Sequence, residues 1–308
     1  MKAAYFMKNG GPEVMEYGEV PDPVAGPGQV LIDVYAASVN GADWKVRSGR
    51  YAPTTTFPYI PGRDFSGVVS ALGEGVTDFK VGDEVFGVSE QTGEKCYAEK
   101  VAMNAAIVAK KPKSLSHVEA ASVALIGLTA LVSIEDTLKL KSGEKILIQG
   151  GAGGVASFAV QLAKHIGAYV ITTASAANHD YLRKLGADEI IDYNTQDFAK
   201  VVSGCDAVFE TVGGGEVVER SFSVLRPGGR AAFIGSGQAA PIPQRADVVS
   251  LRPKVGRDRA HLERIAKLVE SGAVRVPEIK VYPLSEAAAA HKVSEGRHLR
   301  GKLVFKVR

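Results

Sequence analysis

The stretch Lys145-Ile146-Leu147-Ile148-Gln149-Gly150-Gly151-Ala152-Gly153-Gly154-Val155-Ala156 runs an apolar strand into a glycine cluster and then directly into the start of a helix. No other feature limits the fold so closely. A continuous apolar strand belongs to a sheet covered on both faces, and a helix that follows at once has its N-terminus at the strand's carboxyl end. Glycine lets the backbone turn tightly and approach a pyrophosphate, to which the helix N-terminus offers unpaired N–H groups and a positive dipole end. Gly151, Ala152, Gly153, Gly154 and Val155 are the candidate cradle. From Gly151 the spacing reads G-x-G-G-x-A, not G-x-G-x-x-G, so the glycines alone also fit a plain tight turn. It is the order strand, turn, helix that favours a dinucleotide.

From Leu115 onward, helix-length and strand-length segments alternate in the rhythm of βαβ units. Strands fall at 145–149, 168–173, 189–192, 206–210 and 230–235, with amphipathic helices such as 155–166 between them, which predicts a doubly wound parallel sheet. Residues 1–111 read differently: runs rich in Val, Ile, Tyr and Thr, such as 29–34 and 65–70, are punctuated by Gly and Pro and predict a small β-barrel. A helix over 260–271, a strand over 278–281, a helix over 285–295 and a strand over 302–307 close the chain, the last placed to rejoin the first domain. A chain of 308 residues exceeds the ~250 at which single cores stop growing. The expected division is 1–113 with 275–308 as one α/β architecture's barrel-type domain and 114–274 as its cofactor domain, with linkers at 109–114 and 272–277.

The second strand of the sheet selects the dinucleotide, because an acidic residue at its end would accept hydrogen bonds from the ribose 2′-OH of NAD and repel a 2′-phosphate. Here it ends Ile171-Thr172-Thr173-Ala174-Ser175-Ala176-Ala177-Asn178, without Asp or Glu and with His179 and Arg183 close behind. That favours NADPH, with Ser175 and Asn178 at the phosphate. The same two residues also suit the cap of the following helix, and both roles can coexist.

Composition narrows the partners. Charged residues make up 23% of the chain at a net charge of +3, with Lys and Arg scattered, so nucleic acid is not an expected partner. The two cysteines, Cys96 and Cys205, are far apart and outside any Cys/His cluster, which predicts no disulfide framework, no zinc knuckle and a reducing, cytoplasmic setting. The N-terminal residues show no secretory pattern. The apolar stretch 120–134, flanked by Glu119 and Glu135, is shorter than the ~20 residues of a membrane span and predicts a buried helix without a membrane partner. The six histidines form no hydrolase constellation.

Taken together, residues 143–164, Pro61-Gly62-Arg63-Asp64-Phe65-Ser66-Gly67, Val39-Asn40-Gly41-Ala42-Asp43-Trp44, Val81-Gly82-Asp83-Glu84-Val85-Phe86-Gly87, Gly127-Leu128-Thr129-Ala130 and Leu225-Arg226-Pro227-Gly228-Gly229-Arg230 resemble, in order, the quinone oxidoreductase and zeta-crystallin group of the medium-chain dehydrogenase/reductase superfamily. The resemblance implies a GroES-like domain closed by the C-terminal segment, a Rossmann-like domain, and NADPH in a cleft. It also places Asn40 and Arg63 where zinc-dependent cousins carry a cysteine and a histidine, and the four-cysteine structural loop is absent. A catalytic zinc needs about three protein ligands, so no metal is expected.

The resemblance puts Asn40 beside the nicotinamide, where its amide would orient a substrate oxygen or a cofactor group; otherwise it is an Asn in a turn before Gly41. Tyr51 offers a phenolic O–H to a developing enolate or quinol oxygen, or simply packs. The Lys45 ammonium either stabilises that oxyanion or points to solvent. Thr129 bonds the carboxamide side of the cofactor or the preceding turn's carbonyl. Tyr193 packs near the adenine ribose phosphate or is a half-buried loop tyrosine, and Val212, Gly235 and Ser236 end strands that line the nicotinamide half. The expected reaction is hydride transfer from NADPH to quinones or α,β-unsaturated carbonyls, which need no Lewis acid because charge spreads onto a conjugated oxygen. Rival readings are an enoyl-thioester reductase of the same superfamily and a non-catalytic, crystallin-like NADPH-binding protein. Relatives are commonly homodimers, and 230–235 is the expected pairing edge.

Overall fold

The computed structural model describes residues 1–51, 54, 56–90, 93–237 and 239–308. Strands follow in chain order as β1 (Lys2–Phe6), β2 (Met15–Glu19), β3 (Gln29–Val39), β4 (Asp64–Leu72), β5 (Glu84–Val88), β6 (Lys100–Asn104) and β7 (Val108–Lys110). After them come β8 (Lys145–Ile148), β9 (Tyr169–Ala174), β10 (Glu189–Asp192), β11 (Cys205–Glu210), β12 (Leu225–Phe233), β13 (Val249–Leu251), β14 (Ile279–Pro283) and β15 (Lys302–Lys306).

The chain forms two units. The first takes Met1–Leu125, Arg257–Glu270 and Glu278–Arg308; the second takes Ile126–Gly256 and Ser271–Pro277. The first is built on a seven-stranded sheet in the order β14-β15-β3-β4-β5-β7, with β6 also paired to β3 and a separate β1-β2 hairpin. Strand β3 anchors it: eleven residues long, it pairs antiparallel with β15, β4 and β6, bending at register shifts near Leu31 and Val34. Its buried Val30, Ile32 and Val34 alternate with partly exposed partners and meet Phe65, Tyr97 and Phe305 in the core. The C-terminal strand β15 pairs antiparallel with β3, so the chain's tail joins the first unit, which also takes Arg257–Glu270 from the stretch expected in the cofactor domain.

The second unit carries six parallel strands in the order β10-β9-β8-β11-β12-β13. This is a doubly wound, Rossmann-like sheet, and the strand order reverses between β8 and β11, where ligands gather outside the carboxyl ends. Leu147, Ile171, Val208 and Phe233 form its core.

Two expectations need correction. Residues 230–235 are not an edge: β12 lies between β11 and β13, because Val249–Leu251 adds a strand of only three residues, too short to register as a periodic run. The apolar helix is longer than 120–134, running His117–Leu131 and continuing as a π-helical turn through Val132–Thr137. At 21 residues it is long and apolar enough to cross a membrane by length and composition, and 72% of its most apolar window is buried inside the protein.

Candidate functional site

In the second unit, the glycine turn leaves β8 with Gly150 at φ +71° and enters the helix Gly154–Ile166 through Gly153, at φ −71° and ψ 156°. No side chain caps that helix, so its first N–H groups face outward from the switch point. A Cβ on Gly151 would collide with Thr172 Oγ1. The turn is pinned to β9: Gly151 N donates to Thr173 O (2.9 Å) and Gly150 N to Thr173 Oγ1 (3.0 Å). Thr173 Oγ1 donates in turn to Gln149 Oε1 (3.1 Å), and Gln149 Nε2 to Ser221 Oγ (3.3 Å). Gln149 and Thr173 escaped the sequence reading, which credited the turn to its glycines.

The carboxyl ends of the neighbouring strands bring the other candidates of this unit together. Ser175 and Asn178 follow β9, but neither side chain caps a helix; Asn178 Nδ2 donates to Ser175 Oγ (3.0 Å). The capping alternative is therefore not what the structure shows. His179 Nε2 beside them and Ser236 Oγ past β12 are buried without a hydrogen-bond partner among the described residues, the kind of atom a bound ligand satisfies. Tyr193 follows β10 and is half-exposed at 52%. Val212 follows β11; its N–H and that of Gly213 donate to the buried Glu210 carboxylate (2.6 and 2.5 Å). A Cβ on Gly235 would strike the Gly213 backbone, so only glycine lets these two strand ends approach. Thr129 is half-buried on the long helix, and its carbonyl accepts from Ser133 Oγ (2.7 Å). A bare helix N-terminus, a glycine-rich cradle and two orphaned polar atoms together fit a dinucleotide.

In the first unit, Asn40 ends β3 and opens the helix Gly41–Arg47. Its N–H donates to Asp43 Oδ2 (2.8 Å) while Asp43 N donates back to Asn40 O (3.0 Å), which fixes the start of the helix. The Asn40 side chain stands in capping-box register with the Asp43 N–H but makes its full hydrogen bonds elsewhere. Nδ2 donates to Asp64 Oδ1 (3.1 Å) and Ser38 O (3.3 Å), and Oδ1 accepts from Lys302 Nζ (2.8 Å). Burial raises the Asp64 carboxyl and lowers the Lys302 ammonium, each opposed by the other's charge.

Asp43 lies at the centre of a second cluster. It is fully buried, accepts from Tyr97 Oη (2.7 Å) and pairs with Arg63 Nε (3.4 Å), whose Nη2 meets Glu94 Oε1 (2.6 Å). Burial pushes the Asp43 carboxyl up to about 7 against the lowering pull of Arg63. The Arg63 guanidinium lies 5.9 Å from the Tyr51 ring centroid, and Lys45 Nζ lies 5.6 Å from it and 5.8 Å from that of Trp44. Tyr51 is 48% exposed. Asn40, Lys45 and Tyr51 thus belong to one neighbourhood; Arg63 was noted in the sequence only as standing at a zinc-ligand position of the cousins and Lys302 only as the end of a basic turn, 297–302, that reaches toward the cofactor or into solvent, while Asp43, Asp64 and Glu94 are functional-site neighbours that sequence reasoning missed. Of those three, only Asp43 left a local signal, as the acidic residue three places after Asn40. Among the described residues no cluster of His, Cys, Asp and Glu is arranged to hold a metal ion.

The alcohol dehydrogenase GroES-like domain model matches residues 26–116 and the zinc-binding dehydrogenase model matches 185–305. The chain is 35% identical to a 2-haloacrylate reductase of Burkholderia sp, covering 98% of each. It is 34% identical to a chloroplastic NADPH-dependent alkenal/one oxidoreductase of Arabidopsis thaliana, covering 99% of this chain and 79% of that protein. The solved quinone oxidoreductase of Coxiella burnetii superimposes with a TM-score of 0.90 at 36% identity, over 100% of this chain and 99% of that one.

Proposed function

The chain belongs to the zinc-free quinone oxidoreductase-like family of the medium-chain dehydrogenase/reductase superfamily, and from that premise we propose that it reduces quinones or α,β-unsaturated carbonyls at the expense of NADPH. The observation that carries the reading is the uncapped helix N-terminus behind a glycine-rich turn at the switch point of a parallel sheet. NADPH supplies a hydride from C4 of its nicotinamide. Gly151, Ala152, Gly153, Gly154 and Val155 hold the pyrophosphate. Ser175, Asn178 and Tyr193 hold the ribose phosphate, where no carboxylate ends β9 to repel it. Thr129, Val212, Gly235 and Ser236 line the nicotinamide half.

On the first unit, the exposed phenol of Tyr51 donates a proton to the oxygen that gains charge, and the Lys45 cation next to the same ring favours that charge. Tyr51 offers a flat apolar face suited to a conjugated acceptor. A homodimer and a cytoplasmic setting belong to the same proposal, the dimer to be checked by sedimentation.

The test is stopped-flow absorbance of NADPH and NADH with benzoquinone, a 2-alkenal, 2-chloroacrylate and a crotonyl thioester as separate acceptors. NADPH-selective turnover of quinone or alkenal is expected. Turnover confined to the thioester would make the protein an acyl reductase, and tight cofactor binding without any turnover would make it a holding protein.

A further inference from the structure

Asn40 is buried at 8% exposure between two groups that have no freedom in what they offer. An ammonium only donates and an ionised carboxylate only accepts. Lys302 Nζ lies 2.8 Å from one end of the Asn40 amide and Asp64 Oδ1 3.1 Å from the other. The amide's orientation, which an asparagine in neutral surroundings leaves open, is therefore dictated: oxygen to Lys302, nitrogen to Asp64. Both Nδ2 hydrogens are consumed, by Asp64 Oδ1 and by Ser38 O. Of the amide's hydrogen-bonding positions, only the second lone pair of Oδ1 makes no further full hydrogen bond; it stands in capping-box register with the Asp43 N–H, whose own bond goes to the Asn40 carbonyl (3.0 Å).

We infer that Lys302 is the positioning residue of the active site, fixing Asn40 so that its amide presents an acceptor and nothing else. The inference rests on the proposed reductase function and deepens it. A group meeting Asn40 has to bring a hydrogen: a hydroxyl or an amide N–H, of the cofactor or of a quinol. An oxyanion meeting the same lone pair would be repelled, so the charge that develops on the acceptor oxygen is left to Tyr51 and Lys45.

Lys302 is suited to this task by how it is held. It opens β15, its Nζ also donates to Val39 O (2.7 Å), and β15 pairs with β3, placing Leu303 opposite Val39. The ammonium is thus set by the same strand pairing that sets Asn40. Asp64 is held from the other side, accepting from Ser38 Oγ (2.8 Å) and from Leu125 N (3.3 Å).

The test uses the full chain in four forms: wild type, Lys302→Arg, Lys302→Met and Lys302→Met/Asp64→Asn. The single Met variant strands a buried carboxylate and serves as the stability control, while the double variant removes both charges together and keeps the fold. The double variant is expected to lose about tenfold in kcat/KM for benzoquinone with NADPH, the worth of one hydrogen bond, and Lys302→Arg to recover most of it. A second readout needs no turnover. The Asn40 Nδ2 proton signals, assigned by their loss in Asn40→Ala, are expected to exchange slowly with deuterium oxide in the wild type and at least about tenfold faster in the double variant. A double variant with unchanged kcat/KM, or with unchanged exchange of those protons, would overturn the assignment. If the wild type reduces no acceptor, the proposed function fails and the proton exchange alone decides whether Lys302 positions Asn40.

Discussion

His291 shows how a residue far from any motif in sequence can govern behaviour. Its Nδ1 lies 3.2 Å from Arg47 Nη1, and since a guanidinium only donates, Nδ1 is the unprotonated acceptor. Nε2 is buried without a partner among the described residues, and burial together with Arg47 pushes the ring down to about 3. Between that value and the ordinary 6.5 the unfolded chain binds more protons than the folded one, so stability rises with pH across this window and is lost on acidification through it. The loss from this ring approaches about 4 kcal/mol near its lower end. Asp43 acts in the opposite sense, because burial raises its carboxyl to about 7 and costs stability as pH climbs from 4 toward 7. Subtracting the urea-unfolding free energies of His291→Gln from those of the wild type isolates the ring: the variant keeps an acceptor for Arg47 and cannot titrate. Its curve should be lower near pH 7 and flatter below pH 6.5, and two parallel curves would remove His291 from the account. The sequence announced none of this. Arg47, Arg63, Asp64, Glu94, His291 and Lys302 are scattered along the chain; the pairing of β3 with β4 and β15 joins Asp64 and Lys302, and His291 reaches Arg47 from the helix Ala287–Glu295, contacts that no local pattern records. Asn40 was legible through the family resemblance, which puts it beside the nicotinamide. Its orientation was not, because that comes from Lys302.

The turn between β8 and the helix that follows is where sequence and structure agree most closely, since strand, glycines and helix are consecutive and their geometry is local. It also yields a prediction with two opposite signs. Gly153 occupies the N-cap position with extended φ and ψ that any residue adopts, and a Cβ there would stand 3.4 Å from Gly150 O. Asp is among the best N-cap residues, and its charge favours a helix N-terminus by ~0.5–1 kcal/mol. Gly153→Asp should therefore melt no lower than the wild type while its affinity for NADPH, measured by fluorescence titration, falls at least about tenfold through repulsion of the pyrophosphate. Unchanged affinity would reduce the motif to a tight turn. Elsewhere the elements were read in part. In the parallel sheet β8 to β12 were found, whereas β13, three residues long with only Val249 and Leu251 apolar, gave no periodicity to find, and in the first unit β1, β2, β5, β6 and β7 were not singled out. Strand β12 begins at Leu225, five residues before the predicted start, because Pro227, Gly228 and Gly229 read as a turn. Gly229 packs where a Cβ would press on Cys205 O and Arg226 O, so these glycines serve close strand packing as well as turning.

For the molecule as a whole, two units with separate cores and one chain between them make ligand-linked stability the most informative global measurement. Any ligand that binds the native state alone stabilises it, by ~2.7 kcal/mol at a hundred times its Kd. For a chain of this length that corresponds to roughly 5 °C in Tm when the liganded unit unfolds together with the rest. The second unit has no carboxylate at the end of β9, and Ser175 and Asn178 bond each other there, ready to exchange that contact for a phosphate. The one acid soon after them, Asp180, is paired with Arg183 at 2.6 Å. Melting the protein in equal concentrations of NADPH and NADH should thus give a larger shift with NADPH, and raising the salt should shrink the difference as the phosphate's charge is screened. Equal shifts would take the 2′-phosphate away from Ser175 and Asn178. A shift confined to one of two melting steps would assign the cofactor to the unit that moved, and an early step that stays fixed would mean that the first unit unfolds independently of the cofactor it is proposed to serve.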